Sequence, residues 1–227
     1  VKKEIKGKIK WYVQLVMEGI PPKKVNKNTG EIHSIGQDSV GLDIGTRTVA
    51  ISSKYSVKLL ELAPSINNID KEIKLIQRKM DRSKRATNPN KYNPNGTVNV
   101  KNKDKWIYSN KYLKLKSMYK ELYRKQSAIR KQDHEVMSNY ILSLGDKFYV
   151  ETMNFKGLQA RAKETTINKK TGKINKKKRF GKSLANKAPA MLIEIINRKL
   201  KYESLNINKI NTYKVKASQY NHFTDEY

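Results

Sequence analysis

The sequence predicts an α/β fold in which a sheet is interrupted by a long helical insertion. Residues 40–62 are rich in apolar and β-branched residues around a glycine turn, and residues 148–151 repeat that pattern in short form. Between these two stretches, apolar residues recur at every third or fourth position, which is the period of a helix with one buried face. Strands that alternate with helices in this way are typical of α/β domains.

Residues 1–38 are predicted to form a small β segment. The stretch 9–17 is apolar and rich in β-forming residues, and Pro21 and Pro22 end it. Asn28-Thr29-Gly30 is a plausible hairpin turn. Trp11 and Tyr12 either pack in a core or stack on bases, and core packing is the more common role for at least one of them.

The region 39–65 is predicted to hold strands at 40–52 and 57–62, with a hairpin turn at Gly45-Thr46-Arg47. The helical insertion, residues 66–145, is predicted to contain an amphipathic helix over 66–82, a loop over 83–105 and a long helix over 109–144 that Gly145 ends. Seven apolar residues are predicted to line one face of the long helix: Leu115, Met118, Leu122, Ile129, Val136, Tyr140 and Leu144.

After the strand at 148–151, residues 161–183 contain ten basic residues and one acid, and we expect them to be disordered without a ligand. A helix over 189–204 and a strand over 207–215 complete the prediction. Residues 39–65 and 146–227 would together make one domain, which the helical insertion interrupts.

The chain is strongly basic, with 49 Lys and Arg against 20 Asp and Glu and a formal net charge of +29. A charge of this size indicates a polyanionic partner, and nucleic acid is the usual one. Basic ribosome-associated proteins have the same composition without any enzymatic activity. No stretch reaches the roughly 18 apolar residues of a membrane-spanning helix, so no membrane partner is expected. The absence of cysteine excludes disulfides and any thiolate zinc site within the chain, and fits the cytoplasm.

Two acids lie where strands are predicted. Asp43 stands between the apolar residues Leu42 and Ile44, and Glu151 follows Val150. A buried carboxylate without a partner is costly, so we expect it to be neutralised or to hold a cation. Acids at the ends of adjacent strands could share two Mg²⁺ ions, which prefer oxygen ligands and promote phosphodiester cleavage. The alternative is a turn aspartate and a strand-end glutamate in ordinary ion pairs.

The order of strand, turn, two strands, helix and a strand with an acid is how ribonuclease H-like folds begin. Actin-like ATPases share that beginning and use a similar Asp-x-Gly-Thr turn around a phosphate. They need a duplicated domain with a second phosphate loop and an adenosine site, and this chain shows neither.

Three motifs occur in order: Gly41-Leu-Asp-Ile-Gly-Thr46, Tyr149-Val-Glu-Thr-Met-Asn-Phe-Lys-Gly-Leu158 and Lys216-Ala-Ser-Gln-Tyr220. Together they resemble the transposon-encoded TnpB family of RNA-guided nucleases, which is related to the type V CRISPR effectors. The segment Lys10-Trp-Tyr-Val-Gln-Leu15 with Pro21 and Pro22 resembles the end of the RNA-binding wedge domain of that family.

The resemblance implies a RuvC-type nuclease domain and an RNA-guided DNA endonuclease of the prokaryotic cytoplasm, associated with the nucleoid. Asp43 and Glu151 would be catalytic ligands of two Mg²⁺ ions, with guide RNA and target DNA as partners. The family has a third acid on a helix that would lie beyond residue 227, and a cysteine zinc ribbon that this chain lacks. The expected nucleic-acid-binding residues are Lys10, Trp11, Arg47, Arg78, Arg82, Arg124, Arg130, Lys156, Lys177, Lys178, Arg179, Ser218 and Gln219.

Two alternatives stay open. A guided repressor of the same lineage would bind DNA without cutting it, and the missing third acid is compatible with that. A generic basic RNA-binding protein would bind DNA without any dependence on a guide sequence.

Overall fold

The computed structural model describes residues 1–20, 22, 25–172, 174–175, 177, 180–215 and 224. They belong to two compact units. The first unit contains Val1–Glu18 and Ser65–Ile129, and the second contains Gly19–Pro64 and Arg130–Tyr227. The three functional domains expected from the sequence stay a prediction.

The first unit begins with an antiparallel hairpin of β1 (Lys2–Ile5) and β2 (Lys8–Trp11). Lys6 and Gly7 connect the strands with φ of 51° and 72°, and two successive positive φ angles match the right-handed twist of a two-residue hairpin. The expected strand over 9–17 is wrong beyond Trp11. Residues 12–17 lie outside the strands and are exposed, although Tyr12 N still donates to Val1 O at 2.8 Å.

Helix α1 (Asn67–Thr87) confirms the amphipathic helix expected over 66–82 and extends it by five residues. A 3₁₀ turn, Pro64–Ile66, precedes it. Ile73 and Ile76 are buried on one face, whereas Arg78 and Arg82 are exposed on the other. Pro89 cannot continue the helix because it has no backbone N–H to donate.

The polar stretch after α1 is a loop, as expected, apart from the 3₁₀ turn Pro89–Lys91. The Asn88 side chain stabilises the loop by joining its two ends. Its amide donates to Lys84 O at 2.9 Å and to Ile107 O at 2.8 Å, and its Oδ1 accepts from Ile107 N. Lys91 is buried and donates to the carbonyls of Asn102 and Asp104. A buried ammonium is stable here because backbone oxygens replace its water.

Helix α2 (Asn110–Leu142) confirms the long helix expected over 109–144. The expected apolar face is wrong at Met118 and Val136, which are 53% and 58% exposed. Three polar residues are buried instead, namely Gln126, His134 and Ser138. A helix of 33 residues meets different neighbours along its length, so one apolar stripe does not describe its buried side.

The second unit is a mixed α/β fold around a five-stranded sheet in the order β5-β4-β3-β6-β7. Its strands are β3 (Ser39–Ile44), β4 (Thr48–Ser53), β5 (Ser56–Glu61), β6 (Lys147–Glu151) and β7 (Ile207–Ile210). The first three form an antiparallel meander, which confirms the hairpin turn after Ile44. Strand β6 pairs parallel with β3, and β7 pairs parallel with β6.

The core lies on one face of this sheet. Helix α5 (Pro189–Tyr202), expected over 189–204, supplies Leu192, Ile196 and Leu200, and the end of α2 supplies Ile141 and Leu142. The expected strand over 207–215 is wrong after Ile210, since α6 (Thr212–Val215) follows. The short helices α3 (Phe155–Gln159) and α4 (Gly181–Lys187) were not expected.

Two glycines hold β3 and β6 in register. A Cβ at Gly145 would lie 2.2 Å from the carbonyl oxygen of Asp38, and a Cβ at Gly36 would lie 2.4 Å from that of Ser143. The Asp38 oxygen also accepts from the backbone N of Asp146 and of Lys147, at 3.0 and 3.2 Å. The backbone of residues 36–38 therefore contacts the backbone of residues 143–147 just before the parallel pairing of β3 with β6 begins.

We expect Gly145→Ala to lower the free energy of unfolding by about 3 kcal/mol, because the new methyl group meets a backbone atom that no side-chain rotation can move away. Urea denaturation followed by circular dichroism measures this. Gly41→Ala is the control, since a Cβ there meets nothing closer than 3.9 Å. Equal urea midpoints for the two variants would contradict the assignment of this contact.

Candidate functional site

Asp43 and Glu151 lie on adjacent parallel strands. Leu42 of β3 is opposite Val150 of β6, and the next residue on each strand is the acid. Asp43 is paired with Ala50 on its other side, and Glu151 with Ile210. Neighbouring strands lie about 4.8 Å apart. The two carboxylates are therefore close enough to bind one shared metal ion, or two metal ions about 4 Å from each other.

Both acids are on the sheet face opposite the core. Side chains alternate along a strand, and Leu42, Ile44 and Val150 point into the core. Asp43 is exposed and Glu151 is half-buried. The expectation that Asp43 is buried is therefore wrong, because its apolar sequence neighbours face the other way, and its carboxylate keeps its water.

The face that carries the two acids is open. Val57 and Leu59 on β5 are 81% and 69% exposed, and Tyr149 on β6 is 37% exposed. The structure gives neither Asp43 nor Glu151 a salt bridge or a side-chain hydrogen bond with any described residue. Within that part of the chain, the alternative of two ordinary ion pairs has no support.

The two carboxylates fit part of a Mg²⁺ coordination shell. Mg²⁺ is usually bound by one or two carboxylates, with water and substrate phosphate at its other positions. An open sheet face with two unpartnered carboxylates leaves room for those ligands. No group of three acidic or histidine side chains that could hold a metal occurs among the residues that the structure describes.

Arg47 follows Asp43 closely in sequence. It lies in the turn between β3 and β4, where Gly45 N donates to Thr48 O at 2.9 Å. Its Nε is 3.2 Å from Glu61 Oε1, and the same oxygen is 3.0 Å from Lys187 Nζ. Glu61 therefore joins an exposed arginine at the site to a lysine that is buried in α4.

Polar contacts fix helix α4 to the segments that follow β3 and β5 and to helix α2. Ser183 Oγ donates to Thr46 O at 2.9 Å, and Lys187 Nζ donates to Ala63 O at 3.1 Å. Arg130 donates to Ala185 O at 2.6 Å, and His134 Nε2 is 2.8 Å from Lys187 O. The sequence gives no sign of this support, because Ser183 and Lys187 lie in a polar stretch without a strong helical period.

The other residues expected to bind nucleic acid are spread over both units. In the first unit, Trp11 is 74% exposed with Lys2 Nζ 5.6 Å above its ring, and Lys10, Arg78 and Arg82 are exposed. Arg124 instead forms a bidentate ion pair with Glu121, and this pair lowers the pKa of the Glu121 carboxyl to about 2.

In the second unit, Arg130 is half-buried against α4, and this burial lowers its pKa. Lys156 is exposed on α3, and Lys177 is half-buried with its Nζ 3.3 Å from Lys163 O. Lys178, Arg179, Ser218 and Gln219 lie outside the described residues. The contact of all these residues with nucleic acid stays a prediction.

Part of the basic stretch 161–183 is structured. Ile167 and Ile174 form an antiparallel bridge, and Ala162 N donates to Lys177 O at 2.8 Å. Helix α4 begins at Gly181, inside the stretch. The described residues around Phe180 and Leu158 line an open pocket of about 310 Å³.

Comparison with known proteins adds no assignment: no family model matches the chain, and no match is found among curated proteins. Of the helices that the structure describes, none has the length and apolar character needed to cross a membrane.

His134 makes the stability of the second unit depend on pH. Its ring is fully buried, and burial lowers the pKa of the imidazole, with the Lys187 carbonyl acting in the opposite direction. Arg130, whose charge lowers the pKa, and Asp133, whose charge raises it, are the charged side chains that act on it, and Lys187 acts through its backbone carbonyl. Because the unfolded chain then binds a proton more readily, stability is full above the unfolded pKa of about 6.5 and falls below it.

We expect the unfolding free energy of the protein to fall as the pH is lowered from 7.5 to 5.5, by at most about 1.4 kcal/mol per pH unit. His134→Gln should flatten this dependence, whereas His33→Gln, at an exposed loop position, should keep it. Chemical denaturation at each pH gives the slopes. The same slope in His134→Gln and in the unsubstituted protein would refute the role given to this ring.

Proposed function

We propose that the protein is an RNA-guided, Mg²⁺-dependent DNA endonuclease of the TnpB type, or the nuclease-bearing part of one. The observation that carries the proposal is the pair Asp43 and Glu151, adjacent across a parallel strand pair and free of partners among the described residues. This arrangement suits a two-metal site for phosphodiester cleavage.

The sheet supports the same proposal. An antiparallel meander of β3, β4 and β5 followed by the parallel strands β6 and β7 agrees with a ribonuclease H-like fold of the RuvC type. The first acid is on the central strand of this sheet and the second is on the next parallel strand. The mixed α/β fold alone is compatible with many functions, so the support comes from where the acids lie.

Asp43 and Glu151 would hold Mg²⁺ through their carboxylate oxygens, and the bound metal would supply an activated water and stabilisation of the leaving oxygen. Glu61 accepts from Nε of Arg47, and the other N–H groups of that guanidinium, which make no side-chain contact with described residues, could bind a substrate phosphate. Base pairing with the guide RNA would select the target DNA, while basic side chains hold the backbone.

A guided DNA-binding protein that no longer cuts is the second candidate. The described residues supply two acids and no third one at the site, which favours this candidate to that extent. A generic basic RNA-binding protein accounts for the net charge of +29 but not for two paired acids on an open sheet face.

The test begins with the RNA that co-purifies with the protein. We expect a discrete RNA, and Mg²⁺-dependent cleavage of DNA that matches it, which EDTA stops. Asp43→Asn should reduce cleavage at least about a hundredfold, since it removes a charged metal ligand, and should leave binding of RNA and matching DNA unchanged. Glu194→Gln, an exposed acid on α5, is the matched control and should cut normally.

Three outcomes separate the candidates. Cleavage by Asp43→Asn at the rate of the unsubstituted protein would reject the metal site. Guide-dependent binding without cleavage by the unsubstituted protein would identify the repressor. A heterogeneous RNA pool with no dependence of DNA binding on sequence would leave the generic binder.

A further inference from the structure

Four tyrosines of the first unit lie around the start of α2: Tyr108 is just before the helix, and Tyr112, Tyr119 and Tyr123 are on it. Tyr108 stacks on Tyr112 with ring centroids 4.6 Å apart and planes at 22°. Tyr119 contacts Tyr123 edge to face at 4.8 Å. Residues four apart are neighbours on a helix, and the rise between Tyr112 and Tyr119 is about 10 Å, so the two pairs make one stripe. We call these four residues the tyrosine stripe.

The stripe has an inner and an outer layer. Tyr112 and Tyr119 are half-buried, and Tyr119 OH accepts a hydrogen bond from Gln77 of α1 at 2.9 Å. Tyr108 and Tyr123 are 41% and 42% exposed. The inner rings therefore pack within the unit and support the outer rings. Tyr108 lies on Tyr112 and remains partly exposed, so part of its ring is accessible to a ligand.

Cations surround the stripe. Residues 101–125 contain nine Lys and Arg and two acids. One of the acids, Glu121, is neutralised by Arg124. Lys116 Nζ is 6.0 Å from the ring centroid of Tyr108, and helical spacing places Lys116 and Lys120 beside the tyrosines. Lys120 also forms an exposed ion pair with Glu4 at 3.7 Å. In this fully described stretch, Lys105, Lys111 and Lys114 form no salt bridge.

We propose that the tyrosine stripe is a binding site for single-stranded nucleic acid, in which unpaired bases stack on Tyr108 and Tyr123 and the neighbouring lysines bind the phosphates. Single strands suit this surface because their bases are free to stack, whereas a duplex keeps its bases paired inside. The cations favour a polyanion over an apolar partner, and the exposed part of each ring favours a polyanion that carries bases. The site is separate from the acid pair and does not depend on the proposed nuclease activity.

Binding is measured by fluorescence anisotropy at one fixed salt concentration, because phosphate contacts depend strongly on salt. The probes are an oligothymidine, an oligouridine and an abasic oligomer of the same length and charge. We expect Tyr108→Leu/Tyr123→Leu to weaken binding of the base-containing oligomers about tenfold and to leave abasic binding unchanged. Loss for oligothymidine, oligouridine or both supports the site and tells which strand it takes.

Two matched variants isolate stacking. Tyr108→Phe/Tyr123→Phe keeps the rings and should bind as the unsubstituted protein does. Tyr55→Leu removes another exposed tyrosine that has a lysine 5.2 Å above its ring, at the turn between β4 and β5, and should have no effect. Circular dichroism of the leucine variant checks that it is folded.

Two results would overturn the proposal. Equal weakening for the abasic and the base-containing oligomers would mean that the tyrosines support folding or charge placement and do not stack on bases. Unchanged binding in the leucine variant, or displacement of oligothymidine by polyglutamate of equal charge as effectively as by unlabelled oligothymidine, would mean that the stripe is not a base-binding surface.

Discussion

The parallel pairing of β3 with β6 is the constraint on which the candidate site depends. More than a hundred residues separate the two strands in sequence, and the chain returns through α2 to a backbone contact between Gly145 and Asp38. Side chains alternate along a strand, so a shift of one residue would turn Glu151 into the core and Val150 out of it. The backbone hydrogen bonds from Asp146 and Lys147 to Asp38 fix the register that places Glu151 beside Asp43.

Polar contacts in the second unit secure the elements around that pairing. Lys199 Nζ of α5 binds Glu135 and Ser138 of α2, which fixes the helix that covers the core to the helix that leads into β6. Lys187 joins α4 to Glu61 at the end of β5. Buried or half-buried ion pairs contribute little net stability because desolvation offsets their attraction, but an alternative packing that broke them would leave a charge unpaired. They therefore favour one arrangement over its competitors.

The sequence predicts those parts of the fold in which a local period meets a single environment. Alternation in β3 gives both the strand and its buried face, and the spacing of Ile73 and Ile76 gives α1. Prediction fails where the environment is set by distant residues. The mostly apolar residues 12–17 predict a strand but are exposed and lie outside the strands, and His134 is buried in α2 because α4 packs on it. The pairing of Asp43 with Glu151 was expected from two strand ends; the open face was not, since exposure depends on what covers a sheet.

Asp43 and Glu151 place two negative charges side by side on a chain whose net charge is +29. A net charge of +29 favours a polyanionic partner, yet a phosphate close to Asp43 and Glu151 would meet like charge. A divalent cation held by the two carboxylates would offset that repulsion. On the proposed function, metal and substrate would therefore bind cooperatively. Basic residues such as Arg47 would attract the nucleic-acid strand to the open face, and a bound cation would be needed for the strand to bind next to the two acids.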